Sequence, residues 1–349
     1  MRRQMTTWIA ALTTAVAAQG ALAQEVTLRF QHFVSPKSAN PTYFMAPWAE
    51  AIEEQSNGRI KVEIYPFMQL GGKATAMYDL IRDGAVDGGW VIPGYQPGRF
   101  PEAEALELPF MAPVSAEASS QAAWKFTQKY LMDDFSDVHI IAAHLHGRGV
   151  IHMKGDAATA VSDLDGKRLR GPSRPVTQLL KTIGATPVGM PVPSFPEALA
   201  KGVIDGGVIP WEIAPSLKLD ELTDSHTEIP GPNSLYNLYF IWAMNKDSYN
   251  RLPDDLKAVI DANSGLATSA FAGRAHDVGD AIGKDQIAAS GNEIADMQPE
   301  EVAKLEALGA ELTASWIEEA NKKGLDGAAL VADAQAFMAE VTGDDAATQ

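Results

Sequence analysis

The chain has 349 residues, no Cys, and a net charge of −17 from 28 Lys and Arg against 45 Asp and Glu. Such acidity argues against nucleic acid and anionic membrane surfaces as partners. The missing Cys removes disulfides, thiolate metal sites and Cys nucleophiles together, so the fold is held by its packed cores.

Arg2 and Arg3, the apolar run Trp8–Ala18 and the small residues Ala21-Leu22-Ala23 read as an export leader over residues 1–23, followed by a mature chain from Gln24. That run is too short for a membrane span, and no later one reaches the ~18 apolar residues a span needs. The 326 residues that remain suffice for two domains with their own cores. Val26–Phe30 alternates as a strand. Pro41 opens a helix that places Phe44, Trp48 and Ile52 on one face and closes at Asn57-Gly58. Ile60–Tyr65 is a second strand, and Lys73–Asp83 a helix stopped by Gly84.

A segment then occurs twice. Residues 80–92 read LIRDGAVDGGWVI and residues 198–209 read ALAKGVIDGGVI, so Gly84, Asp87 and Gly88-Gly89 match Gly202, Asp205 and Gly206-Gly207. Each copy has the form of a helix end, a Gly stop, a turn and a buried strand. Two copies predict two α/β lobes with a cleft between them, where small ligands sit.

Further along, strand patterning covers His139–His152. A turn at 163–166 leads to a short strand ending in Arg170, Val176–Ile183 is a helix ended by Gly184, and Pro187–Met190 is a strand. Pro196–Lys201 is the helix before the second copy. Tyr236–Met244 is an apolar strand long enough to return to the first lobe. Beyond Leu252-Pro253 the pattern is helical, with Leu256–Ala289 as one long brace, and the tail after Thr342 is expected to be disordered. The resulting division is lobe I over 24–147, lobe II over 148–233, shared elements over 234–342, and the tail 343–349.

The motifs of Ser hydrolases, zinc proteases, dinucleotide-binding enzymes and P-loop NTPases are absent from the sequence. His144 and His146 share a strand face as a metal pair would, but no acidic residue lies beside them, and solvated or hydrogen-bonded imidazoles are the plainer reading; no metal or cofactor is expected. Alternation puts Arg168 and Arg170 on one face of a strand that ends at Gly171-Pro172. An Arg there offers a rigid, always-charged fork for a carboxylate, or equally a solvated surface tip.

Taken in order, Leu164–Arg170, Ile183–Met190 and Ala198–Gly207, with Ser56–Pro66, Gln69–Gly71, Glu107–Phe110, Asn245-Lys246 and Leu252-Pro253, resemble the solute-binding proteins of TRAP transporters, DctP type, over nearly the whole mature chain. The resemblance implies the two-lobed periplasmic-binding-protein (Venus-flytrap) α/β fold with mixed sheets and a long C-terminal bracing helix. It implies a monomeric, non-enzymatic periplasmic receptor that closes over an organic acid and delivers it to a membrane permease. It places the carboxylate fork on Arg170 and a second contact on Arg148. Where many members carry Asn against the carboxylate this chain has Ile209, and where they carry Glu-x-Tyr it has Ser194-Phe195-Pro196. That more apolar wall, with Trp211, Trp90, Tyr95 and Tyr236 as candidate platforms, favours a monocarboxylate with an apolar or aromatic body. Glu212, His32 and Phe33 complete the candidate contacts. The members' metal-bridging Glu-Trp pair appears reversed as Trp211-Glu212, so no metal is carried over. The competing readings are an exported α/β enzyme acting on a carboxylate and a chemosensory receptor of the same fold.

Overall fold

The computed structural model describes residues 24–345. The expected leader and residues 346–349 lie outside the described residues. Strands β1 (Val26–Gln31), β2 (Ile60–Tyr65), β3 (Gly88–Val91), β4 (Val138–Leu145), β5 (Gly149–Met153), β6 (Arg168–Gly171), β7 (Thr186–Gly189), β8 (Gly206–Pro210), β9 (Ser225–Glu228), β10 (Tyr239–Asn245) and β11 (Glu293–Asp296) form two sheets. The first has the order β2-β1-β3-β10-β4 and the second β11-β9-β5-β8-β6-β7. Both are mixed. β1 runs parallel to β2 and β3, while β10 is antiparallel to β3 and β4. β6 runs parallel to β7 and β8, while β5 is antiparallel to β8 and β9.

The repeated segment has the same anatomy in each sheet. Helices Met77–Arg82 and Phe195–Ala200 end near Gly84 and Gly202, whose φ values of 71° and 65° lie in the left-handed region that glycine enters without strain. Asp87 then accepts from the backbone N–H of Arg29 at 2.9 Å, and Asp205 from that of Arg168 at 2.8 Å. Each repeat Asp thus ties the start of its strand to the parallel neighbour, β1 or β6.

The chain passes between the sheets three times: at His146-Gly147-Arg148 after β4, between β9 and β10, and along the helix Leu266–Ser290 that leads to β11. At 1.5 Å per residue those 25 helical residues span about 37 Å. Its glycines permit close approach. A Cβ at Gly273 would lie 2.2 Å from the Ala116 carbonyl oxygen, and one at Gly283 would lie 2.1 Å from that of Trp211. One helix therefore seats against both halves.

Three expectations change. The strand expected over His139–His152 is two strands in different sheets, because the crossing at Gly147 interrupts it. The long brace breaks into Asp254–Ala262 and Leu266–Ser290. The break serves a bulge in β4: the register against β10 skips Ile141, and the freed Ile141 carbonyl accepts from Gly265 N–H at 2.8 Å. The tail expected to be disordered from residue 343 is helical through Asp345, the end of the helix Gly327–Asp345.

Candidate functional site

Where the two sheets face each other lies a small cavity lined from both lobes, the kind of place where small-molecule sites form. Every residue lining it is buried. From the first sheet and its connections come Phe33, Trp90, Tyr95, His146, Tyr236 and Phe240. From the second come Arg170, Val192, Ile209 and Glu212.

Arg170 is the only Lys or Arg in the lining, and it is 1% exposed. Two carbonyls hold its guanidinium: Nε donates to Met190 O and Nη1 to Val208 O, each at 3.0 Å. Nη2 has no partner. The side chain fits because its parallel neighbour is glycine; a Cβ at Gly207 would lie 2.8 Å from the Arg170 Cβ and 2.7 Å from the Phe195 ring. The second glycine of the repeat therefore makes room for the cation.

The opposite wall is aromatic. The Trp90 indole stacks on Phe33 (centroids 5.1 Å, planes 5° apart) and on Phe240 (4.8 Å, 11°), and the His144 ring lies parallel to Phe240 at 4.9 Å. These stacked rings make this side of the cavity aromatic and apolar. Tyr95 closes the cavity across the lobes, its hydroxyl accepting from Val192 N–H at 2.9 Å.

The imidazoles behind and beside the cavity sit in hydrogen-bonded chains, and burial keeps those of His144, His146, His152 and His226 uncharged near neutral pH. Trp90 Nε1 donates to His144 Nε2 at 2.9 Å, so His144 carries its proton on Nδ1, which faces His276 Nε2 at 3.2 Å. His276 Nδ1 then stands 3.3 Å from Glu212 Oε1. In the second lobe Asn292 donates to His226, and the Nδ1 atoms of His226 and His152 meet at 2.6 Å. His152 Nε2 donates to the Ile209 carbonyl at 3.0 Å. Burial lowers His226 to about 4 and His146 to about 3, and pushes His144 and His152 well down; the paired imidazole adds to the effect for His144 and His152. Burial also raises the Tyr236 phenol, which therefore keeps its proton. Among the described residues no group of three His, Asp or Glu is placed to hold a metal ion.

Residues 30–319 match the family model described as bacterial extracellular solute-binding protein, family 7, the DctP family. The chain belongs to this family. Its members are solute-binding receptors rather than enzymes, and this one is of the TRAP type. A TRAP solute-binding protein from Rhodoferax ferrireducens, solved with copurified benzoate, is 43% identical, covers 91% of this chain and 99% of its own, and superposes with a TM-score of 0.89. A marine metagenome TRAP protein specific for aromatic acid ligands, solved with 3-hydroxybenzoate, is 44% identical with the same coverage and TM-score. A Bordetella bronchiseptica TRAP protein with bound mandelate is 28% identical over 90% of this chain and 99% of its own, with a TM-score of 0.83.

Within this DctP-type framework, the candidates Arg170, Ile209, Glu212, Tyr95, Trp90, Phe33 and Tyr236 all line the one cavity. Three other candidates do not. Arg148 donates from both ends of its guanidinium to the carbonyls of Ile229 and Gly231, bracing one lobe crossing against the other. Trp211 lies outside the lining, its Nε1 donating to Glu228 at 2.7 Å, whereas Trp90 lines the cavity. His32 is buried outside the lining and accepts from Val34 N–H at 3.4 Å. Of the two plainer alternatives for His144 and His146, solvated or hydrogen-bonded, both rings take the second, being fully buried and bonded to Trp90 and to the Gly147 carbonyl respectively. Sequence reasoning did not select Phe240 or His146 as contacts. Phe240 was legible in the alternation of β10, where Phe240, Trp242 and Met244 face one core and Tyr239, Ile241 and Ala243 the other.

Proposed function

We propose that this protein is the periplasmic, monomeric receptor of a TRAP transporter, that it binds an aromatic monocarboxylate, and that it delivers this ligand to the membrane permease. The observation that carries the reading is Arg170, a buried cation already held by two carbonyls, with Nη2 unpartnered at a cavity whose opposite wall is stacked rings. A carboxylate would accept from Nη2 and from the Tyr236 hydroxyl, which is also unpartnered. The ring of the ligand would lie along Trp90 and Phe240. Ile209 offers no polar partner, so a second carboxylate on that wall would lose its hydration without replacement. The benzoate and 3-hydroxybenzoate bound by relatives above 40% identity support the same ligand class.

Calorimetric titration with benzoate tests the reading. Wild-type protein should bind it and release it chemically unchanged. Arg170→Ala should weaken binding by about 10²- to 10³-fold, because a desolvated carboxylate is left without its cation. Binding within about threefold of wild type in that variant would overturn the assignment.

A further inference from the structure

Four polar side-chain atoms on the cavity lining are buried and unpartnered: Arg170 Nη2, Tyr236 Oη, His146 Nε2 and Glu212 Oε2. They divide by chemistry. Arg170 and the protonated Tyr236 supply donors, which a carboxylate satisfies. His146 is different. Its Nδ1 faces the Gly147 carbonyl at 3.0 Å, a group that can only accept, so the ring proton sits on Nδ1 and Nε2 presents a lone pair. Burial holds this imidazole near a pKa of about 3, so Nε2 stays an acceptor throughout the neutral range. The ring is 0% exposed, and its orientation is fixed by that carbonyl and by edge-on packing against Tyr236, with centroids 4.9 Å apart.

An ionised carboxylate on an unsubstituted ring has no proton to give. It would meet the donors and leave His146 Nε2 as buried and unpaired as before, a costly arrangement in a closed site. We propose that the aromatic acid bound by this protein carries a hydroxyl group whose proton is received by Nε2 of His146, with Oε2 of Glu212 as a second acceptor on the same cavity. This rests on the aromatic-carboxylate reading above and adds a requirement to it: the site selects for a hydrogen-bond donor on the ligand body. A site built to receive a hydroxyl rejects the analogue lacking it more strongly than an apolar pocket rejects a missing methylene.

Calorimetry near neutral pH with benzoate, the three monohydroxybenzoates and the matching fluorobenzoates provides the test. At least one hydroxybenzoate should bind about tenfold or more tightly than benzoate, while its fluoro counterpart, similar in size but without a proton, should gain nothing. The ratio of hydroxybenzoate to benzoate affinity should fall to near one in His146→Phe and stay above one in His146→Gln, whose amide oxygen still accepts. Three results would each overturn the inference: no isomer exceeding benzoate by more than about threefold (as when trapped water serves the acceptors), a fluorobenzoate matching the hydroxybenzoate, or an intact preference in His146→Phe. If His146→Phe does not fold, the fluorobenzoate comparison on wild-type protein still decides whether a donated proton is read. Failure of benzoate and every hydroxybenzoate to bind would remove the proposed function itself, whereas benzoate binding without hydroxyl preference removes only this inference.

Discussion

Arg170 and Arg148 are both partly or wholly withdrawn from solvent, yet only one is free to meet a ligand. Arg170 uses Nε and Nη1 on carbonyls and keeps Nη2 open, whereas Arg148 uses both of its terminal nitrogens on Ile229 and Gly231. Lysine cannot reproduce the Arg170 arrangement, since a single ammonium cannot bind two carbonyls and fork a carboxylate in one plane. Arg170→Lys should therefore lose at least about tenfold in benzoate affinity by calorimetry. Arg148→Ala should act differently: unfolding free energy falls by about 1.5–3 kcal/mol for hydrogen bonds from a charged group, while benzoate affinity stays within about fivefold. A hundredfold loss of affinity in Arg148→Ala, with the fold intact, would return that residue to the site. The choice between these two Arg was not legible in the chain. The partners that occupy Arg148 lie more than 80 residues away in sequence, and the cavity beside Arg170 is closed by separate segments that bring Tyr95, Ile209 and Tyr236 to it. Trp211 is drawn off the cavity by Glu228 at the end of β9, a partner that no local pattern around Trp211 reveals.

The repeated helix–Gly–strand unit was legible because its requirements are local. A left-handed glycine, an Asp that binds a neighbouring strand and two small residues leave a mark in any sequence. What the copies accommodate was not legible. At Gly89 a Cβ would meet the Met77 side chain at 2.0 Å and the Gln31 carbonyl oxygen at 2.5 Å, whereas at Gly207 it would meet Arg170 and Phe195. The first copy thus serves packing and the second also serves the site. Gly207→Ala should destabilise the fold by about 1–3 kcal/mol through overpacking and should also weaken benzoate binding, because Arg170 must shift. Measured denaturation and calorimetry together check this: a variant that loses stability but binds as wild type would show that Arg170 does not depend on the space Gly207 leaves. The bulge at Ile141 likewise has no sequence signature, since the extra residue is as apolar as its neighbours and shows only in the skipped register against β10 and the bond to Gly265.

Over the whole molecule the buried imidazoles couple folding to acidity. The folded-state pKa of His226 is depressed to about 4 from an ordinary value near 6.5, so the unfolded chain binds the proton more readily. Its stabilising contribution is complete above about pH 6.5 and is lost as pH falls toward 4, at most about 3 kcal/mol by linkage. Glu107 works in the opposite sense: burial raises it to about 8, so its protonated form favours the fold and its contribution declines between about pH 4.5 and 8. Comparing wild type with His226→Gln cancels the Glu107 term. The variant should lose less stability than wild type on acidification from about pH 6.5 to 4, and equal acid slopes would contradict the account of the His152–His226 pair.

The central claim is that this receptor takes a ring-bearing monocarboxylate, and it turns on the cavity wall at Ile209 as much as on Arg170. The most direct measurement is thermal unfolding of wild type and Ile209→Asn with benzoate and with succinate, each in large excess. A ligand present at a hundred times its Kd adds about 2.7 kcal/mol of apparent stability, which a melting curve resolves readily. Benzoate should raise the wild-type midpoint clearly and succinate should not, while Ile209→Asn should narrow that difference by giving a second carboxylate a partner. A large shift with succinate, unchanged in Ile209→Asn and matched by no aromatic acid, would contradict the account.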